Sequence, residues 1–112
     1  KMKTLKDLGK KHYEKIHYSF DIHYYPNRDE DMYVGILKNI MEIRGYEIRL
    51  KDLTIEGLVK KADDFLTMCK SIRVNREGMK FQVIQWNLDN PEDMKFSLET
   101  YNDLKTKKAV NQ

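Results

Sequence analysis

The sequence contains little cysteine, little glycine and no long apolar run. Its single cysteine, Cys69, excludes an internal disulfide bond, and a reducing, cytoplasmic compartment is the simplest expectation. Its five glycines form no nucleotide-binding loop, dinucleotide fingerprint or nucleophile-elbow motif. No apolar stretch reaches the length of a membrane span or of a signal-peptide core. These absences argue against a membrane protein and against enzymes built on those motifs, and we expect no cofactor.

Alanine is also scarce. It occurs only as Ala62 and Ala109, whereas lysine, asparagine, isoleucine and tyrosine are plentiful. The abundant residues use AT-rich codons, a composition found in many bacteriophages and low-GC bacteria. The composition is therefore compatible with a protein encoded by a phage or by another mobile element.

The formal net charge of +3 is distributed unevenly along the 112 residues. Residues 1–16 carry six lysines against two acidic residues, and residues 105–112 add three lysines, whereas residues 17–104 have 12 basic and 16 acidic side chains. Basic ends can contact phosphate groups and can equally keep a chain soluble. Length and a hydrophobic content of 40% predict one domain over residues 1–112, ending in a frayed lysine-rich tail at 105–112.

Hydrophobic periodicity predicts a helix, a strand and a second helix in the first half of the chain. A basic N-terminal helix over 4–17 has an apolar inner face and a lysine-rich outer face. Residues 18–25 alternate apolar and polar side chains, as in a half-buried strand. The acidic residues 29–31 and the Arg44–Gly45 pair resemble the start and stop signals of an apolar helix between them.

The second half contains the clearest helical period. After a short extended segment at 46–50, the spacing of apolar residues predicts a helix over 55–72, with the face Leu58, Val59, Ala62, Phe65, Leu66, Cys69 and Ile72. Residues 75–78 look like the loop of a β-hairpin near 72–88, and Asn90 with the following proline predicts the start of a last helix. We therefore predict an α+β fold in which four helices pack on a small, mostly antiparallel sheet.

Histidines and carboxylates are the first candidates for chemistry. His12, His17 and His23 lie close in sequence, but a zinc site needs three or four ligands at compatible spacings. Only Asp21 and His23 share a strand face, and no third partner is identifiable. Helix capping explains the acidic residues 29–31 without a metal ion. We predict neither a metal site nor a catalytic site.

Basic residues near the predicted hairpin suggest one binding function. The candidate nucleic-acid contacts are Lys3, Lys6, Lys10 and Lys11 of the first helix and Arg73, Arg76 and Lys80 around the hairpin tip. The predicted order of elements resembles that of a winged-helix domain, which implies a recognition helix before a phosphate-contacting wing. However, that helix presents Glu56, Asp63 and Asp64, whose charges phosphate groups would repel.

Aromatic residues suggest a different function. The chain has seven tyrosines, four phenylalanines and one tryptophan, and tyrosine is enriched at protein interfaces. We therefore expect a non-enzymatic intracellular protein that binds a protein partner, as an inhibitor or regulator, and a homodimer is one form of such binding. The candidate interface residues are Tyr24, Tyr25 and Tyr33. Nucleic-acid binding is the alternative.

Overall fold

A three-stranded antiparallel sheet, packed against helices, forms the centre of the fold. The computed structural model describes residues 2–26 and 31–94. Its elements are α1 (Leu5–His12), β1 (Ser19–Tyr25), β2 (Met32–Lys38), a 3₁₀ helix (Ile40–Glu42), β3 (Ile48–Asp52), α2 (Ile55–Ser71) and α3 (Arg76–Asp89). The predicted α+β class, with four helices when the 3₁₀ helix is counted and an antiparallel sheet, is confirmed for this part of the chain.

The middle strand β2 replaces the helix that we predicted between the acidic residues 29–31 and Gly45. It lies between β1 and β3, with Leu37 opposite Phe20 on one side and Ile48 on the other. Val34 and Leu37 point to opposite faces of the sheet, and both are buried. A strand that is buried on both faces has no polar alternation, so its short apolar run resembles a buried helix in the sequence.

The connection from β2 to β3 has an unusual backbone. Asn39, Met41 and Glu42 have φ values of 51°, 55° and 62°, a left-handed conformation that costs energy for residues other than glycine. The Met41 N–H donates to the carbonyl of His17 at 2.8 Å, and the Arg76 guanidinium donates to the carbonyl of Met41. These bonds hold the connection in place and attach the start of α3 to it.

The helix α2 confirms the clearest pattern in the sequence. The Thr54 hydroxyl accepts a hydrogen bond from the Gly57 N–H at 2.9 Å and caps the helix. Six of the seven residues predicted for its inner face are fully buried, the exception being Ile72, which lies just beyond the helix and is 52% exposed. The helix contacts α1, β2, β3 and α3, and therefore joins all the layers of the core.

The first helix is shorter than the predicted 4–17. Thr4 and Asp7 form a reciprocal capping box at its start, with both hydrogen bonds at 3.1 Å. It ends at His12 because the chain then turns, bringing Ile16 into the core before β1 begins. The predicted strand at 18–25 is confirmed as β1, and the extended segment at 46–50 is confirmed as β3, shifted by two residues.

The predicted hairpin near 72–88 is wrong, because these residues form α3. The Asn75 side chain accepts a hydrogen bond from the Gly78 N–H at 2.8 Å and begins the helix. Met79 and Val83 turn inward, whereas Phe81 turns outward, so apolar residues on both sides of the helix imitate the alternation of a strand. Without a wing, the order of elements no longer resembles a winged-helix domain.

After α3 the chain bends at Asn90, and residues 91–94 are helical, as the predicted last helix requires. The rest of that helix and the predicted tail at 105–112 lie outside the described residues. In residues 2–26 and 31–94, no helix combines the length and the apolar character that a bilayer crossing demands.

Two glycines provide a matched stability test. A Cβ at position 35 would lie 2.6 Å from Cε1 of Phe20, whereas a Cβ at position 9 would meet nothing closer than the Tyr18 hydroxyl at 3.7 Å. We expect Gly35→Ala to lower the free energy of unfolding by about 1–3 kcal/mol through overpacking. Gly9→Ala in α1 should raise it by about 0.5–1 kcal/mol. Urea denaturation measures both, and an equal effect of the two variants would contradict the packing of β1 on β2.

Candidate protein interface

The helix α3 is fixed to the rest of the fold by its inner face. Met79 and Val83 are buried, and the Trp86 ring packs edge-on against Phe65 of α2 at 5.4 Å between centroids. Near the other end of α3, the Asn87 amide donates to the carbonyl of Glu47 at 2.8 Å. These contacts determine which side of the helix faces solvent.

The outer face of α3 is apolar as well. Phe81 is 72% exposed, Ile84 48% and Leu88 68%. Their spacing of three and four residues places them on one side of the helix, and we call these three residues the α3 outer face. Single exposed apolar side chains are common on proteins, whereas a row of three large ones makes this face a candidate interaction surface. Sequence analysis missed this surface because it assigned the segment to a hairpin.

Charged residues of both signs border the α3 outer face. Toward the start of the helix, Lys80 lies 3.3 Å from Glu77 and 5.6 Å from the centre of the Tyr46 ring. At the end of the helix, Asp89 accepts a hydrogen bond from the Gln85 amide at 2.8 Å. An apolar centre with a polar border is the usual anatomy of a protein interface.

The three tyrosines predicted as an interface do not form one surface. Tyr24 and Tyr33 are neighbours across β1 and β2, with ring centroids 5.2 Å apart, but Tyr25 points to the opposite face of the sheet. The Tyr24 hydroxyl donates to Asp31 at 2.6 Å, and this hydrogen bond raises the pKa of Tyr24. Tyr33 packs against the core. Tyr24 is thus the member of the set that offers most exposed surface.

The residues predicted to bind nucleic acid separate into two groups. Arg76 and Lys80 belong to α3, where they contact Met41 and Glu77. Lys3, Lys6, Lys10 and Lys11 belong to the N-terminal region and α1, and Arg73 lies in the turn before α3. The structure adds Lys70, whose ammonium donates to the carbonyl of Lys11 at 3.1 Å.

Lys11, Lys15 and Lys70 form a basic cluster where the C-terminal ends of α1 and α2 meet. Burial and the neighbouring charges of Lys11 and Lys15 lower the pKa of Lys70. The carbonyl ends of helices favour cations, which explains part of the gathering without a ligand. The same charge density could also attract a phosphate group.

The three histidines lie apart from one another. His17 stacks on Tyr13 with 4.8 Å between ring centroids, and His23 is exposed on β1. Asp21, which the sequence placed beside His23, lies 2.8 Å from the Lys38 ammonium. Within residues 2–26 and 31–94, no group of three or more histidine, cysteine or acidic side chains is arranged to hold a metal ion.

Sequence analysis also missed the contact between His12 and Asp63. His12 is fully buried, and its Nε2 lies 2.6 Å from Asp63 Oδ1. The same oxygen receives hydrogen bonds from Lys11 at 2.8 Å and Thr67 at 3.2 Å. Asp63 and His12 are 51 residues apart in sequence, so no local pattern could predict their contact. The sequence predicts Asp63 on the exposed side of its helix, whereas its side chain is mostly covered.

The two groups of this pair have opposite preferences for charge. Burial lowers the pKa of His12, and the hydrogen bond to Asp63 opposes this effect without cancelling it. Burial acts to raise the pKa of Asp63, but hydrogen bonds from Lys11 and His12 outweigh it, so the pKa lies below its usual value. A neutral His12 therefore donates from Nε2 to an ionised Asp63, and its Nδ1 finds no donor among the described residues.

Cys69 is a core residue, as its place on the predicted inner face indicated. Its sulfur lies 3.9 Å from that of Met79, and burial raises the pKa of the thiol to about 12. The thiol therefore remains protonated at neutral pH and is not a nucleophile.

The His12–Asp63 pair predicts a pH dependence of stability. Since the pKa of His12 is below 6.5 in the folded chain, the unfolded chain binds more protons as the pH falls through 6.5 toward the folded pKa. The free energy of unfolding should fall in that window, by at most about 1.4 kcal/mol per pH unit. His12→Gln keeps an amide donor but does not titrate, so its urea denaturation should depend less on pH between 7 and 5. Equal slopes for both proteins would contradict this assignment.

No protein-family model, curated protein or solved structure matches this chain. Its own residues are therefore the basis for a functional proposal.

Proposed function

We propose that this chain is a small protein-binding module and that it binds through the α3 outer face. One observation carries the proposal: Phe81, Ile84 and Leu88 are 72%, 48% and 68% exposed on one side of a regular helix whose other side is buried. Burying such side chains contributes about 1.5–3 kcal/mol each when exposure is complete. Covering this face therefore provides a driving force for association.

The shape and border of this surface favour a protein as the ligand. A helix face is convex, whereas small molecules are held in concave pockets. Glu77, Lys80 and Asp89 supply charges of both signs around it, so the surface has no general preference for an anionic membrane. Another helix can pack its side chains between those of α3.

A non-enzymatic role is consistent with the groups that could perform chemistry. The His12–Asp63 pair contains the components of an acid–base dyad, but His12 is fully buried and is not accessible to a substrate. Cys69 is buried and protonated. Neither His12 nor Cys69 is therefore an exposed base or nucleophile.

A regulator or inhibitor that acts on another protein in a reducing, cytoplasmic compartment is the form of this function that we favour. The buried, unpaired Cys69 fits such a compartment, and the codon-biased composition fits a phage or another mobile element. Small proteins of this type act by occupying a surface of their target, and an exposed helix face is suited to that task.

Capture experiments test the proposed interface. Tagged wild-type chain and the variant F81S/L88S are incubated with nuclease-treated lysate of the source cell. Any protein bound through the α3 outer face should be lost from the variant by at least about 30-fold, since truncating a central interface side chain costs about 2 kcal/mol or more. Leu5→Ser, which alters an exposed leucine of α1, serves as the control. If both variants retain the same captured proteins, α3 is not the interface.

Nucleic-acid binding remains the second candidate, because Lys11, Lys15 and Lys70 converge at the ends of α1 and α2. Fluorescence anisotropy with single-stranded and duplex oligonucleotides at low salt tests it, since phosphate-driven binding is strongest there. The variant K15Q/K70Q should reduce the slope of log affinity against log salt by about 2, and Lys60→Gln on the exposed side of α2 should leave it unchanged. Absence of binding at low salt would eliminate this function.

A further inference from the structure

We propose that the free edge of β1 pairs with β1 of a second copy of this chain, antiparallel and about a two-fold axis at Ile22. The two sheets then form one sheet with the strand order β3-β2-β1-β1-β2-β3. This surface is separate from the α3 outer face, so the proposal goes beyond the proposed function and does not depend on it. It follows from the backbone groups at the two edges of the sheet and from the side chains of β1.

The sheet edge at β3 is capped by side chains. The Asn87 amide donates to the carbonyl of Glu47 at 2.8 Å, and the Lys61 ammonium donates to the carbonyl of Lys51 at 2.6 Å. The Lys51 N–H donates to the Asp93 carboxylate at 3.5 Å. Caps of this kind prevent another strand from adding to the edge, so association through the sheet is expected at β1 instead.

The capped edge also determines which backbone groups of β1 point outward. Since the N–H and C=O of Lys51 point away from β2, those of its partner Val34 point toward β1, where they meet His23. The direction alternates along a strand. The β1 edge residues, whose N–H and C=O groups point away from β2, are therefore Phe20, Ile22 and Tyr24. Within residues 2–26 and 31–94, no group forms a hydrogen bond with these outward backbone groups.

One two-fold register pairs all of the β1 edge residues. With the axis at Ile22, the two Ile22 residues exchange backbone hydrogen bonds, and Phe20 exchanges them with Tyr24 of the second copy. An axis one residue earlier or later would place an edge residue opposite a residue outside β1. The earlier axis would also place Asp21 against Asp21 of the second copy, which is unfavourable.

Side chains on both faces of the joined strands fit this register. On the face away from α2, Asp21 lies directly opposite the exposed His23 of the second copy, in the type of pair whose side chains are closest. Asp21 binds Lys38 through Oδ2 at 2.8 Å, so its second oxygen can accept a hydrogen bond from His23. On the face toward α2, Phe20 lies opposite Tyr24, and aromatic pairs of this kind stabilise antiparallel strands.

A proline variant tests the backbone pairing in sedimentation equilibrium of the full chain. Tyr24→Pro and Tyr24→Ala both remove the ring and its hydrogen bond to Asp31, but only proline also removes the outward N–H. Proline is tolerated in an edge strand where the N–H points outward, so circular dichroism should show a folded chain. We expect Tyr24→Pro to weaken the dimer at least about tenfold more than Tyr24→Ala, because the axis repeats the lost hydrogen bond. Equal effects of the two variants would overturn the proposal.

The contact between Asp21 and His23 provides a test of charge. The chain has a net charge of +3, so added positive charge without a specific contact should weaken self-association. His23→Lys places an ammonium opposite Asp21 and should instead strengthen the dimer, whereas His23→Glu should weaken it roughly tenfold. Lys60→Gln makes the same change in net charge as His23→Glu but lies on α2, and it should not weaken the dimer. The opposite order of the two His23 variants would contradict the pairing.

Cysteine cross-linking tests the register, including the case in which Tyr24→Pro does not fold. Asp21→Cys and His23→Cys each add one thiol on the open face of β1, whereas the native Cys69 is buried. A mixture of the two variants should form the 21–23 disulfide at least about tenfold faster than either variant alone forms its own, because equal positions lie more than about 7 Å apart in this register. Cross-linking that is as fast for a single variant would rule out the axis at Ile22.

The α3 outer face provides the comparison that separates this proposal from the proposed function. F81S/L88S should dimerise as the wild type does. A wild-type chain that stays monomeric up to about 1 mM would overturn the pairing and leave the proposed function in place. A dimer that F81S/L88S abolishes and Tyr24→Pro leaves intact would also overturn it, and would identify the α3 outer face as the surface of self-association.

Discussion

The buried face of α2 is the contact on which the other described elements depend. Its fully buried side chains are Leu58, Val59, Ala62, Phe65, Leu66 and Cys69. They contact the sheet, α1 and α3 at once, so each of these elements covers a different part of the same helix. Truncating one large side chain in such a core costs about 2–5 kcal/mol, against a total stability of about 5–15 kcal/mol for a small domain. The sheet and the flanking helices therefore form one cooperative unit through α2.

The same arrangement leaves α3 with more apolar surface than the core can cover. Met79, Val83 and Trp86 pack α3 on the core, and Arg76 and Asn87 donate hydrogen bonds from the two ends of the helix to the carbonyls of Met41 and Glu47. No described element is left to cover the side that carries Phe81, Ile84 and Leu88. The exposed row is therefore not needed to hold α3 in place, and replacing it should cost little folding free energy. This exposed row is the observation behind the proposed protein-binding function.

How well the sequence predicts the fold and the candidate interface depends on how many faces of each element carry apolar residues. The face of α2 was predictable because one side is apolar and the other polar, which gives a clear helical period. The predictions for β2 and α3 were wrong because each element carries apolar residues on two sides. In β2, Val34 and Leu37 are buried on opposite faces of the sheet, and α3 has both an inner and an outer apolar row. Because α3 was predicted as a hairpin, the sequence analysis did not identify the α3 outer face as a candidate interface. The His12–Asp63 contact was beyond any local pattern, because only the packing of α1 on α2 brings the two residues together.

The contrast between α1 and α3 indicates which surface needs a partner. α1 is attached by polar contacts as well as apolar ones: His12 and Lys11 bind Asp63, and Lys70 binds the carbonyl of Lys11. A buried polar pair of this kind adds little net stability, but it favours one register of α1 on α2, because any shift would leave Asp63 and His12 unpaired. In that register the remaining lysines of α1 face water, where an ammonium group is fully solvated and needs no ligand. Phe81 and Leu88 are apolar, so removing their side chains from water lowers the free energy even without a specific polar contact. Exposed charge is thus explained by solvation alone, whereas the apolar row on α3 is not, and this asymmetry is the physical reason to favour protein binding through α3 over phosphate binding through α1.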